Sequence, residues 1–105
     1  MEGNASVATD VLASYAADAA MEVEGVAGLV ESRLPRHGAV RVNGDDRGVK
    51  IELHLELAWG VSAPEVGREV QRRVADYLEQ MAGARPQAVD VVVDEVGPHP
   101  HGRLK

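Results

Sequence analysis

The stretch GVKIELHLELAW, residues 48 to 59, alternates without a break. Val49, Ile51, Leu53, Leu55, Leu57 and Trp59 fall on one side, and Lys50, Glu52, His54, Glu56 and Ala58 fall on the other. Period two sustained over this length describes a β-strand with one dry face and one wet face. Such a strand needs a second layer to cover its dry side. Val40 and Val42 alternate just before it, and NGDDRG, residues 43 to 48, supplies turn residues between the two runs. An antiparallel hairpin is therefore expected.

Two amphipathic helices flank this hairpin in sequence. Thr9 can cap the first, with Asp10 in its opening turn, and Val11, Leu12, Tyr15, Ala16, Ala19 and Val23 recur at helical spacing. Gly25 is placed to stop it. Residues 26–38 are ambiguous: Leu29, Val30 and Leu34 could anchor a short helical turn, closed by Pro35 and Gly38. Ser62-Ala63-Pro64-Glu65 reads as a capping box, and Val66, Val70, Val74, Tyr77, Leu78 and Met81 form the stripe of a second helix that ends at Gly83. A last strand spans 89–95, with Val89, Val91 and Val93 opposite Asp90 and Asp94.

The expected order is helix-strand-strand-helix-strand. The fold class that follows is α+β: a two-layer α/β sandwich, with a small three-stranded mixed sheet and two main helices on one face. The last strand should run parallel to the long one but sit beside the first, leaving the long strand at an edge. Residues 9–96 form the single domain, residues 1–8 a flexible lead, and residues 97–105 a disordered tail carrying His99 and His101.

Composition narrows the function. The chain has 105 residues, no cysteine, no phenylalanine and a formal net charge of -6. Disulfides and thiolate metal sites are excluded, and a reducing cytoplasm is compatible. The charge repels polyphosphate and anionic membranes on average. No run of 18 apolar residues is present, and MEGNASVATD lacks the basic and apolar regions of a secretory signal, so direct membrane insertion is not expected.

Chemistry-bearing motifs are sparse. There is no phosphate loop, no Gly-x-Ser-x-Gly and no His-Glu-x-x-His. Glu52, His54 and Glu56 alternate on the wet face of the long strand; adjacent members stand about 6.6 Å apart and the outer pair about 13 Å apart. His54 could share a metal with one Glu, but a site using all three is strained, and the plainer reading is a solvated strand face on which His54 is weakly favoured as a cation between carboxylates. Arg68, Arg72 and Arg73 interleave with Glu65, Glu69, Asp76 and Glu79 at helical pair spacing. No catalytic residue, cofactor or metal is expected, and Glu52, His54, Glu56, Arg68, Arg72 and Arg73 form the candidate interaction surface. An alternative is a KH-like nucleic-acid grip at Gly25-Val26-Ala27-Gly28. Phosphate neutralisation needs cations, whereas Glu22, Glu24 and Glu31 flank this motif and only Arg33 and Arg36 lie close on the basic side.

Several of these features occur together in one family. They are Trp59-Gly60, then Val70-Gln71-Arg72-Arg73-Val74, then Met81-Ala82-Gly83, then Val89-Asp90-Val91-Val92-Val93, preceded by the segment EVEGVAGL. In this order and spacing, over about residues 9 to 96, the chain resembles the alkaline-shock-protein family of Gram-positive bacteria, also called the envelope stress response family. The resemblance implies a cytoplasmic, non-enzymatic protein linked to envelope stress. It also implies self-association and a separate membrane-anchored partner.

Overall fold

The computed structural model describes residues 2–30, 39–45, 48–83 and 85–97. The elements are α1 (Glu2–Met21), β1 (Val26–Leu29), β2 (Val40–Asp45), β3 (Gly48–Leu57), α2 (Ala63–Ala82) and β4 (Ala88–Val96). The tail from residue 98 and the segment 31–38, with Arg33, Arg36, His99 and His101, lie outside the described residues.

β3 is the axis of the molecule. Its alternation places Ile51, Leu53, Leu55 and Leu57 in the core, each at most 1% exposed. Trp59 does not continue the row. The strand stops at Leu57, Gly60 takes φ +93, and Trp59 is left half exposed in the turn. β1 and β2 both pair antiparallel with β3, β1 along Leu55–Leu57 and β2 along Gly48–Leu53, so they lie end to end on one side. β4 pairs in parallel along the other side, from Lys50↔Ala88 to Leu57↔Val96.

This corrects the expected sheet on two counts. It has four strands, not three, because Val26–Leu29, in the ambiguous segment, is a strand; Leu34, the last anchor of the turn expected at Leu29, Val30 and Leu34, lies outside the described residues. The long strand is central, not at an edge. The connections from β3 through α2 to β4 are short, and such a βαβ unit sets its parallel strands side by side. That local constraint outweighs the general preference for antiparallel neighbours.

Both helices cover the dry face. α1 contributes Leu12, Ala16, Ala19, Ala20 and, just past its end, Val23; α2 contributes Val66, Val70, Val74 and Leu78. Tyr15 and Tyr77 meet edge to face across the helix pair, with centroids 5.8 Å apart. Helix α1 starts at Glu2, ahead of the Thr9 cap, and ends at Met21 in tightened turns, with Glu22 N–H on Ala19 O and Val23 N–H on Ala20 O. Gly25 lies four residues further on, with φ +102, so it shapes the turn into β1 and does not cap the helix. Helix α2 is bounded as its residues suggest. Ser62 Oγ accepts from Glu65 N–H at 3.4 Å, Pro64 sits in the first turn, and Gly83 takes φ +71 with its N–H on Glu79 O.

Candidate functional site

The wet face of the sheet carries the best-organised polar cluster. His54 occupies the middle of β3, where its neighbour changes from β1 to β2: its carbonyl accepts from Val30 N–H, and its own N–H donates to Ala39 O, both at 2.9 Å. The backbone is thus held on one side by the end of one strand and the approach to another. The ring is held as firmly. Nδ1 lies 2.6 Å from Asp94 Oδ2, and Nε2 lies 2.6 Å from Glu52 Oε2. The His54 side chain is 19% exposed. Its hydrogen bonds to Asp94 first and Glu52 second hold its pKa above the ordinary imidazole value, against a smaller opposing effect of desolvation. With both nitrogens facing carboxylates, the geometry favours the protonated ring, which links β3 to β4 through Asp94.

The second partner of His54 is therefore Asp94, not the sequence neighbour Glu56. Parallel pairing sets His54 opposite Val92, and a bulge after Leu55↔Val93 brings Asp94 round to the ring. Glu56 stays on the same face but lies between two glycines. A Cβ on Gly28 would stand 3.9 Å from one of its carboxylate oxygens, and one on Gly97 would stand 3.7 Å from the other. Asp94 was findable from sequence only through the strand order, since it lies forty residues from His54. Because both His54 nitrogens are engaged, the three side chains share no common point; among the described residues no group of three such side chains could hold a metal ion.

The arginines are elsewhere. They lie on α2, in the layer that covers the opposite face of the sheet. Arg72 reaches Glu69 at 2.6 Å and Asp76 at 3.8 Å; Arg73 reaches Glu69 at 3.7 Å and Glu22 of the α1 end at 3.4 Å. The Arg72 hydrogen bond holds the Glu69 carboxyl below the usual carboxylate range, with smaller help from Arg73. Arg68 is exposed and makes no ion pair among the described residues. The six candidate residues thus divide between two surfaces. Two further contacts were not anticipated: Arg85 bridges Glu79 at 2.6 Å and Asp76 at 3.2 Å, and Gln71 Nε2 donates to Val89 O at 2.8 Å, tying α2 to the start of β4.

Gly25-x-x-Gly28 is not a loop between helices. Gly25 sits in the turn, and Gly28 lies within β1 opposite Glu56.

Comparison with known proteins gives consistent relatives. The chain is 26% identical over 107 residues to Spy1614, an uncharacterized protein of Streptococcus pyogenes serotype M6, covering 90% of this chain and 88% of the relative. It is 28% identical over 99 residues to YqhY, an uncharacterized protein of Bacillus subtilis, covering 85% and 73%. Among solved structures the fold is similar to the MamM CTD. A doubly substituted form aligns over 82% of this chain and 81% of that one with a TM-score of 0.62 at 16% identity, and a zinc form aligns over 82% and 84% with a TM-score of 0.60 at 16% identity. At such identity the likeness is one of fold. The model of the alkaline shock protein 23 family, described as having a cell envelope-related function, matches residues 1–98. With nearly the whole chain matched, and the strand, capped helix and valine-rich strand in place, this protein belongs to the alkaline-shock-protein family, a non-catalytic family with a cell envelope-related function.

Proposed function

We propose that the chain is a cytoplasmic interaction and scaffold domain for cell-envelope homeostasis, acting through self-association and a membrane-anchored protein partner. The observation that carries this is the sheet face that no helix among the described residues covers. Both helices pack on one side, and the other side presents an ordered polar surface built on Glu52, His54, Glu56 and Asp94. A face this ordered, in a family without catalysis, is suited to binding another protein. No helix of the described residues is long and apolar enough to cross a membrane, and the net charge of -6 opposes adsorption to anionic lipid. An anchored partner would supply the link to the envelope.

Light scattering on the native protein, with co-purification from detergent-solubilised cells, tests this. The expected result is a mass above the 11.2 kDa protomer together with an accompanying membrane protein. A strict monomer that brings nothing with it would overturn the proposal.

A further inference from the structure

β4 is an open edge. Its inner side pairs with β3, and among the described residues no strand pairs with its outer side. The strand is nine residues long. Gln71 reaches only its start, at Val89 O. An edge of this length is a template for one more strand, and its side chains decide which strand fits.

Asp90 and Asp94 share the polar face with Val92 between them, and Asp90 lies beside Glu52 in the parallel register. Asp94 is already hydrogen-bonded to His54, but Asp90 is exposed and makes no ion pair among the described residues. On the other face Val91 is half buried and Val93 is 37% exposed. The cations on this sheet face, Arg41 and Lys50, lie on β2 and β3 and not on the β4 edge. A second copy pairing antiparallel about Val92 would set Asp90 opposite Asp94 at both ends, and like charges directly opposite are destabilising. Anionic lipid is repelled by the same carboxylates.

We infer that the outer edge of β4 takes up an extended segment of a partner protein that places one cation opposite Asp90, another opposite Asp94, and three uncharged, largely apolar residues between them. This rests on the interaction function proposed above and specifies the chemistry of its partner. The two aspartates stand about 13 Å apart along the strand, the span of residues i and i+4 in an added strand. The backbone supplies the pairing and the carboxylates the selection. Cytoplasmic stretches flanking membrane helices are enriched in Lys and Arg, so a membrane-anchored partner offers such segments where this edge would meet them.

The test is a fluorescence-anisotropy titration of the full chain with three dye-labelled, end-blocked peptides. The first is Ser-Lys-Val-Thr-Val-Lys-Ser, the second has Glu for both Lys, and the third is the first with alternate amides N-methylated on the edge that would face β4. Saturable binding of the first alone, weakened by salt and by about fivefold or more in Asp90→Lys, is expected. Equal binding of the glutamate or the methylated peptide, no binding of the first, or indifference to Asp90→Lys would overturn the assignment. The methylated probe uses unaltered protein, so its result does not depend on how the variant folds. Self-association and partner capture that survive Asp90→Lys leave the interaction function standing and remove only the edge assignment. Absence of both from the wild type would remove the function itself.

Discussion

His54 sits between two carboxylates that favour its protonated form, and this has a defined pH signature. Its folded pKa lies above the ordinary value of 6.5. A raised imidazole contributes its full stabilisation below the unfolded pKa and loses it as pH rises through the folded one. The difference in urea midpoint between wild type and His54→Gln should therefore be largest near pH 6 and shrink towards pH 9; a gap constant across that range would refute the bridge. By NMR titration, Asp94→Asn should lower the His54 pKa more than Glu52→Gln, because the Asp94 bond is the leading cause of the shift. Gly25 is the other decisive residue. Its φ is +102, and an added Cβ would stand 2.9 Å from Val66 Cγ2, on a β-branched side chain with little freedom in a helix. Gly25→Val should cost about 2–4 kcal/mol by strain and overpacking together. Gly83→Ala, at φ +71 but in open space, should cost only about 1 kcal/mol. An unchanged melting temperature for Gly25→Val would show that the turn adjusts freely.

Period two made β3 legible because its core side chains meet a single continuous layer, so every second residue answers to the same environment. β1 hid itself for an equally physical reason. Val26 pairs with Leu57 and Leu29 with Leu55, so the strand spends one extra residue over the same span. The bulge turns two inward residues into an i, i+3 pair, the spacing of a helical turn. α1 was visible as a helix but not in detail: Ala20 is fully buried though it was not among the expected core positions, and Val11 is 40% exposed where a core position was expected. The core side of α1 is largely alanine, with Ala16, Ala19 and Ala20 at 0% exposure, so the helix backbone lies close to its neighbours. Ala19→Leu should destabilise the fold by about 1–3 kcal/mol through overpacking, read from thermal melts. A neutral outcome would mean that the layer is looser than its packing suggests. Asp94 was not legible as a partner of His54, since their contact depends on β4 lying directly beside β3, whereas the expected order set the last strand beside the first.

At the scale of the whole molecule, β3 pairs with each of the other strands, and its dry face joins both helices in one core. There is no division at which one half could unfold and leave the other intact. Far-UV dichroism and the near-UV signal of the Tyr15–Tyr77 pair should report one coincident transition; separated midpoints would contradict the single core. The two sheet faces also divide labour. One serves stability, and the other presents its charged groups at the surface, which suits the interaction role proposed above.

The central place of β3 has a consequence for how the chain is made. Ile51 pairs with Val89 across the whole of α2, so among the described strands β4 is the last to reach the sheet during synthesis. Until then the outer side of β3 is an unpaired edge beside the most apolar row in the molecule, the kind of surface through which nascent chains stick to one another. β4 seals that hazard. The edge it leaves in its place carries aspartates that resist pairing with a second copy about Val92, so the final strand ends one aggregation risk without opening another.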